Sequence, residues 1–165
     1  MTLNKKIVAL AAAMALTTLL DSGLALAGAL DDSGASLAEG RVEVVRGDLE
    51  AGLAAIKGRD WPLARVYLQR AVDRDPQDPD ALAAMGEVYL RLGDRATARQ
   101  YTEAALIVEP EHRRALATMG EIYLLSGNMP EARRKAEQLA ELCPRGCVER
   151  SRLQEAIAAR APGGS

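Results

Sequence analysis

The chain has no phenylalanine, one tryptophan, one histidine and two cysteines in 165 residues. Each scarcity excludes something. A lone histidine, His112, leaves no second imidazole for a metal pair or a histidine-based triad. Two cysteines fall short of the four ligands that structural zinc takes. Valine and isoleucine are sparse, which argues against an extensive sheet. No sign of charge prevails: 21 Lys and Arg face 23 Asp and Glu, for a formal net charge of −2. That balance gives no footprint for nucleic acid and no polybasic patch for an anionic membrane. The glycines form no phosphate-cradling loop, because each has a packing or turn role. Catalytic residues, cofactor and metal are therefore not expected.

What is abundant is alanine and leucine, strong helix formers that lose little side-chain entropy in a helix. The composition predicts an all-α protein packed through small side chains. The clusters Arg113-Arg114 and Arg133-Arg134-Lys135 lie among glutamates at helical spacing and predict a solvated, salt-bridged face. His112, in a polar junction, is expected at the surface.

The first 27 residues have the order of an export signal. Lys5 and Lys6 precede an uncharged apolar run from Ile7 to Leu20, and Ala25-Leu26-Ala27 supplies the cleavage signature. The run is short for a membrane span. An uncleaved anchor lengthened through Leu24 to Leu30 is the alternative, but it would place Asp21 in the bilayer. No Cys follows the run and no twin Arg precedes it, which argues against lipoprotein and folded-export signals. The expected product is a periplasmic or secreted chain cleaved after Ala27, with no membrane association after cleavage. Residues 28–44 predict a flexible lead-in and residues 161–165 a disordered tail.

The remainder repeats itself. Met85-Gly86-Glu87 recurs as Met119-Gly120-Glu121, an offset of 34 residues. Tyr89 maps to Tyr123, Gly93 to Gly127, Ala98-Arg99 to Ala132-Arg133, and Pro110 to Pro144. One step back, Gly52, Ala64, Ala71 and Pro76 mark a weaker copy. Leu82, Met85, Tyr89 and Leu92 share one helical face, and Ala98, Tyr101, Ala105 and Val108 share another. Gly93-Asp94 and Gly127-Asn128 predict turns. Pro76, Pro110 and Pro144 predict helix ends. A mid-helix glycine costs about 1 kcal/mol relative to alanine. Its recurrence at 52, 86 and 120 therefore predicts close approach of the second helix, near Ala64, Ala98 and Ala132.

This pattern resembles the tetratricopeptide repeat, a stacked helix–turn–helix unit. The resemblance implies a right-handed solenoid of three hairpins, at 45–76, 79–110 and 113–144. The first is the most divergent, with Asp48 and Ala55 where Leu and Tyr are usual. A capping helix is expected over 145–160, on the stripe of Leu153 and Ile157. The resemblance also implies a concave groove for a protein or peptide partner. By repeat register it would be lined by Leu49, Leu53 and Ile56, then Asp80, Ala83, Glu87, Leu90 and Arg91, then Arg114, Ala117, Glu121 and Leu124. Glu87 and Glu121 suggest a partner with an apolar anchor and a basic residue. One family variant clamps a C-terminal carboxylate with Lys and Asn. Here Leu49, Leu53, Ala84 and Thr118 occupy four of those positions and only Arg114 is basic, so that mode is not expected. Self-association through the solenoid ends stays open.

Cys143 and Cys147 flank Pro-Arg-Gly. The spacing is neither a C-x-x-C redox motif nor a haem attachment site. An oxidising compartment favours a structural disulfide across this turn. A redox-active pair, which would make the chain a thiol–disulfide enzyme, and free or intermolecular thiols are the alternatives. The leading expectation is an exported adaptor or assembly factor. A membrane-anchored organiser is the third reading.

Overall fold

The computed structural model describes residues 47–160. The expected signal segment 1–27, the lead-in 28–44 and the tail 161–165 lie outside the described residues. The chain divides into two units between Val44 and Val45, and the described residues all belong to the second.

Seven helices follow one another, with no strand among the described residues. α1 occupies residues 47–57. Then come α2 (Trp61–Arg74), α3 (Pro79–Arg91), α4 (Arg95–Val108), α5 (Arg113–Leu125), α6 (Met129–Leu142) and α7 (Val148–Ala158). Each helix packs on its predecessor's hairpin: α3 contacts α2, α4 and α5, and α5 contacts α3, α4, α6 and α7. The result is an all-α hairpin solenoid closed by α7. No helix among the described residues is long and apolar enough to cross a membrane.

Local sequence sets the helix boundaries. The side chains of Asp60, Asp78, Asp94 and Asn128 accept from backbone N–H groups in the first turns of α2, α3, α4 and α6. Pro62, Pro79 and Pro130 sit in first turns, where their missing N–H costs nothing. α2, α4 and α6 end two residues before Pro76, Pro110 and Pro144.

The hairpin turns reveal one exception. Gly93 and Gly127 adopt the left-handed conformation, with φ of 90° and 75°. The same place in the first hairpin holds Arg59, at φ 59°. A side chain there costs roughly 1 kcal/mol that glycine would not.

Burial follows the same register. α2, α4 and α6 each bury one narrow stripe: Ala64, Leu68 and Ala71; Ala98, Thr102 and Ala105; Ala132, Ala136 and Leu139. α3 and α5 are covered on several sides, and every residue from Ala81 to Val88 and from Ala115 to Ile122 is buried. Tyr89 stacks on Tyr101 with ring centroids 5.5 Å apart, and burial pushes the Tyr101 phenol above its usual value of 10.

Two expectations need correction. Gly52 and Gly86 do approach the second helix of their own hairpin, at Leu68 and at Thr102 and Ala98. A Cβ on Gly120 would instead meet the side chain of Leu153, on α7. Ala136 stands where Leu68 and Thr102 stand in the earlier hairpins, and its small side chain leaves room for Leu153.

His112 is buried, with 7% exposure, rather than at the surface. It caps α5: Nδ1 accepts from Ala115 N–H at 3.3 Å. Nε2 therefore carries the proton in the neutral ring and donates to Asp80 Oδ1 at 3.0 Å. His112 occupies the register of the Asp78 cap, which is why a buried polar side chain is tolerated. His112→Ala is expected to lower stability by about 1 kcal/mol, or Tm by about 4 °C. His112→Asn, which can still cap, should recover most of that loss in a thermal melt.

Candidate functional site

The first helices of the hairpins, α1, α3 and α5, form one row that α7 continues. Two adjoining depressions lie along this row. One, of about 390 Å³, is lined by Leu53, Ile56 and Lys57 of α1, Glu87 and Arg114, and Val148, Glu149 and Arg152 of α7. The other, of about 500 Å³, shares Ile56, Lys57, Glu87 and Arg152 and adds Arg59, Trp61 and Arg91.

An ion-pair network floors this groove. Glu87 and Glu121 are both buried, with 4% and 8% exposure. Arg114 Nη1 donates to Glu87 Oε2 at 2.7 Å. Arg91 Nη1 pairs with Glu121 Oε2 at 2.9 Å. Arg152 reaches back from α7 to both: Nη1 pairs with Glu87 Oε1, and Nε faces Glu121 Oε1 at 2.7 Å. Three guanidiniums thus share two carboxylates. Arg152 Nη2 is buried with no hydrogen-bond partner. Burying two carboxylates is tolerable only with this pairing.

The expected groove residues do not all line the groove. Leu53, Ile56, Glu87, Arg91 and Arg114 line the depressions. Leu49 is partly buried and packs against the core. Ala83, Leu90, Ala117 and Leu124 are buried and present no surface to a partner. Leu90 packs with Ala98 of α4 and Ile122 of α5, Ala117 and Leu124 belong to the cluster that includes Leu139 of α6 and Leu153 of α7, and Ala83 belongs to the cluster around α2 and α3. Asp80 is exposed and stands apart with His112, in a polar depression of about 320 Å³. The acids expected to receive a basic partner residue already hold Arg91, Arg114 and Arg152 of this chain.

Several lining residues were not foreseen: Lys57, Arg59, Trp61, Val148, Glu149 and Arg152. α7 was expected as a solubility cap, and no local pattern marks Arg152 as a partner of a residue 65 positions away. Arg59 did leave a trace in the sequence, since it breaks the glycine register of Gly93 and Gly127.

The turn into α7 is closed by Cys143 and Cys147, which sit at disulfide distance with Cα atoms 5.8 Å apart. Cys143 is buried and Cys147 half-buried. Arg150 Nη1 donates to Cys143 O at 3.0 Å across the same turn. Cys143→Ser with Cys147→Ser is expected to cost about 2 kcal/mol by loop-entropy reasoning. Chemical denaturation with and without reductant checks this: the parent should lose that stability on reduction, and the double variant should not respond.

No group of three or more His, Cys, Asp and Glu side chains among the described residues could hold a metal ion.

Two family models, both described as tetratricopeptide repeat, match residues 37–106 and 83–146. No curated protein matches. Among solved structures, the Arabidopsis OM64 TPR domain is 18% identical with a TM-score of 0.63, over 72% of this chain and 98% of that one. The first TPR of Spaghetti (RPAP3), bound to the HSP90 peptide SRMEEVD, is 21% identical with a TM-score of 0.62, over 72% and 97%. Pseudomonas aeruginosa pilF is 25% identical with a TM-score of 0.61, over 73% of this chain and 53% of pilF.

Proposed function

We propose that this chain, which belongs to the tetratricopeptide repeat family, is an exported scaffold that holds a segment of another protein in the groove of α1, α3, α5 and α7. The observation that carries the reading is the pair of adjoining depressions, where aliphatic side chains of α1 and α7 stand beside unevenly paired charges. Such a surface offers an apolar anchor with a few placed polar groups. The RPAP3 domain of the same fold binds a peptide, which supports the mode though not the partner. Export rests on the residues Lys5 to Ala27 described above. The Cys pair supports a structural role in this reading, because it closes the turn that delivers Arg152 to the groove.

Site-specific photo-crosslinking in cells producing the full chain tests the groove. A photoreactive residue replacing Ile56 or Lys57 is expected to give a discrete adduct with another protein. The same residue replacing Val66 or Gln100, exposed on α2 and α4, is expected to give none. Adducts from the outer positions alone, or from none, would contradict the reading. N-terminal sequencing of the accumulated chain tests export: a start at Gly28 agrees with it, and a start at Met1 does not.

A further inference from the structure

We infer that the groove selects a segment in which an acidic residue neighbours an aliphatic one, the opposite sign to the partner that Glu87 and Glu121 suggest in the sequence. The inference rests on the groove reading above and adds the chemistry of the occupant.

Its first support is the local charge. The two depressions expose Lys57, Arg59, Arg91, Arg114 and Arg152 against Glu87 and Glu149. Adding Glu121, which pairs with Arg91 and Arg152, still leaves five cations facing three carboxylates. The protein as a whole carries a formal charge of −2, so this excess is a property of the groove. It is also not spent internally. Lys57 and Arg59 have no ion-pair partner among the described residues. The Nη2 atom of Arg152 is buried without an acceptor. A buried donor left unpaired is costly, so the network is short of carboxylates rather than of cations.

Arg59 is an independent support. It holds a left-handed backbone conformation where the second and third hairpins use glycine. A strained residue at the lip of a groove points to a task for its side chain. Here the side chain is a cation lining the same depression as Lys57, Arg91 and Arg152.

Charge changes sign along the row, which sets the direction of the segment. Cations gather at the C-terminal ends of α1 and α3. At the N-terminal ends of α3 and α5, Asp80, Glu109, Glu111 and Glu149 outnumber Arg113 and Arg114 around the polar depression. An acidic residue is repelled from that end and drawn to Lys57 and Arg59. Its aliphatic neighbour then falls between Leu53, Ile56 and Val148, of which Val148 is 74% exposed. Covering that surface removes apolar area from water.

The test is selection from a random twelve-residue peptide display library on the chain spanning residues 28–165. Selected peptides are expected to be enriched in Asp or Glu beside Leu, Ile or Val. The best peptide is then measured by fluorescence anisotropy against the parent and a variant carrying Lys57→Gln and Arg59→Gly. Two exposed ion contacts correspond to an affinity loss of about tenfold, and binding should weaken further with added salt. Because Arg59→Gly relieves the backbone, the variant's Tm should not fall, so lost binding cannot be ascribed to unfolding. Selection of basic or uncharged peptides overturns this inference and leaves the groove reading standing, as does an affinity unchanged within twofold in the variant. If the parent selects no peptide at all, the groove reading fails and this inference fails with it.

Discussion

Glu87→Ala is expected to destabilise the folded chain by about 2–4 kcal/mol. Glu87 accepts from Arg114 and pairs with Arg152, and it lies 4.0 Å from Arg91. Removing it leaves Arg114 without its carboxylate, and Arg91 and Arg152 with Glu121 alone. Deleting one partner of a buried pair costs about 3–5 kcal/mol. The lower range applies here because these guanidiniums retain some solvent contact, with side-chain exposures of 27–32%. Glu87→Gln keeps an acceptor and should lose less. In urea denaturation the midpoint is expected to fall with an unchanged slope. Coupling between Glu87→Gln and Arg152→Gln should appear in a double-mutant cycle, since the two residues touch. A Glu87→Ala loss below about 0.5 kcal/mol, the size of an ordinary surface change, would mean the network does not hold α7 to the groove.

Gly86→Leu is expected to cost about 3 kcal/mol or more, at or beyond the upper end of overpacking effects. The sign matters as much as the size. On helix propensity alone Gly86→Ala should gain about 1 kcal/mol. A Cβ at Gly86 would lie 2.3 Å from Thr102 Oγ1, 3.2 Å from Thr102 N and 3.3 Å from Ala98 O. Two of these are backbone atoms, and the hydroxyl is itself bound to Ala98 O at 2.7 Å. α3 and α4 must therefore separate, and Gly86→Ala is expected to lose stability. Adding Thr102→Ala should return part of the loss by removing the nearest contact. A Gly86→Ala variant that melts higher than the parent would show that the helices are not in this register.

The helical architecture was legible because the repeat writes the same physical requirement three times. A mid-helix glycine, a buried stripe at spacings of four and three on the second helix, and a proline past its end recur every 34 residues. The departures lie where contacts depend on residues distant in the chain. Leu153 reaches Gly120 because Ala136 is small, a fact about three helices together. His112 was expected in solvent because its neighbours are polar, yet it fills the cap position that Asp78 holds one hairpin earlier. Ala83, Leu90, Ala117 and Leu124 carry the register of a groove but are buried in the packing clusters between helices. That Glu87 and Glu121 are both paired with Arg152 was not legible for the same reason. Glu87 and Glu121 are conspicuous in the repeat, whereas Arg152 arrives from outside it.

Amide chemical-shift mapping on the isotope-labelled chain, titrated with the tightest peptide from the library, tests the groove most directly. The account predicts that the shifted amides cluster at Leu53 to Arg59, Glu87 to Arg91 and Val148 to Arg152, with Val66, Gln100 and Arg134 on the outer helices unmoved. Shifts centred on α2, α4 and α6 at saturation would contradict it and place the binding surface on the opposite side of the solenoid.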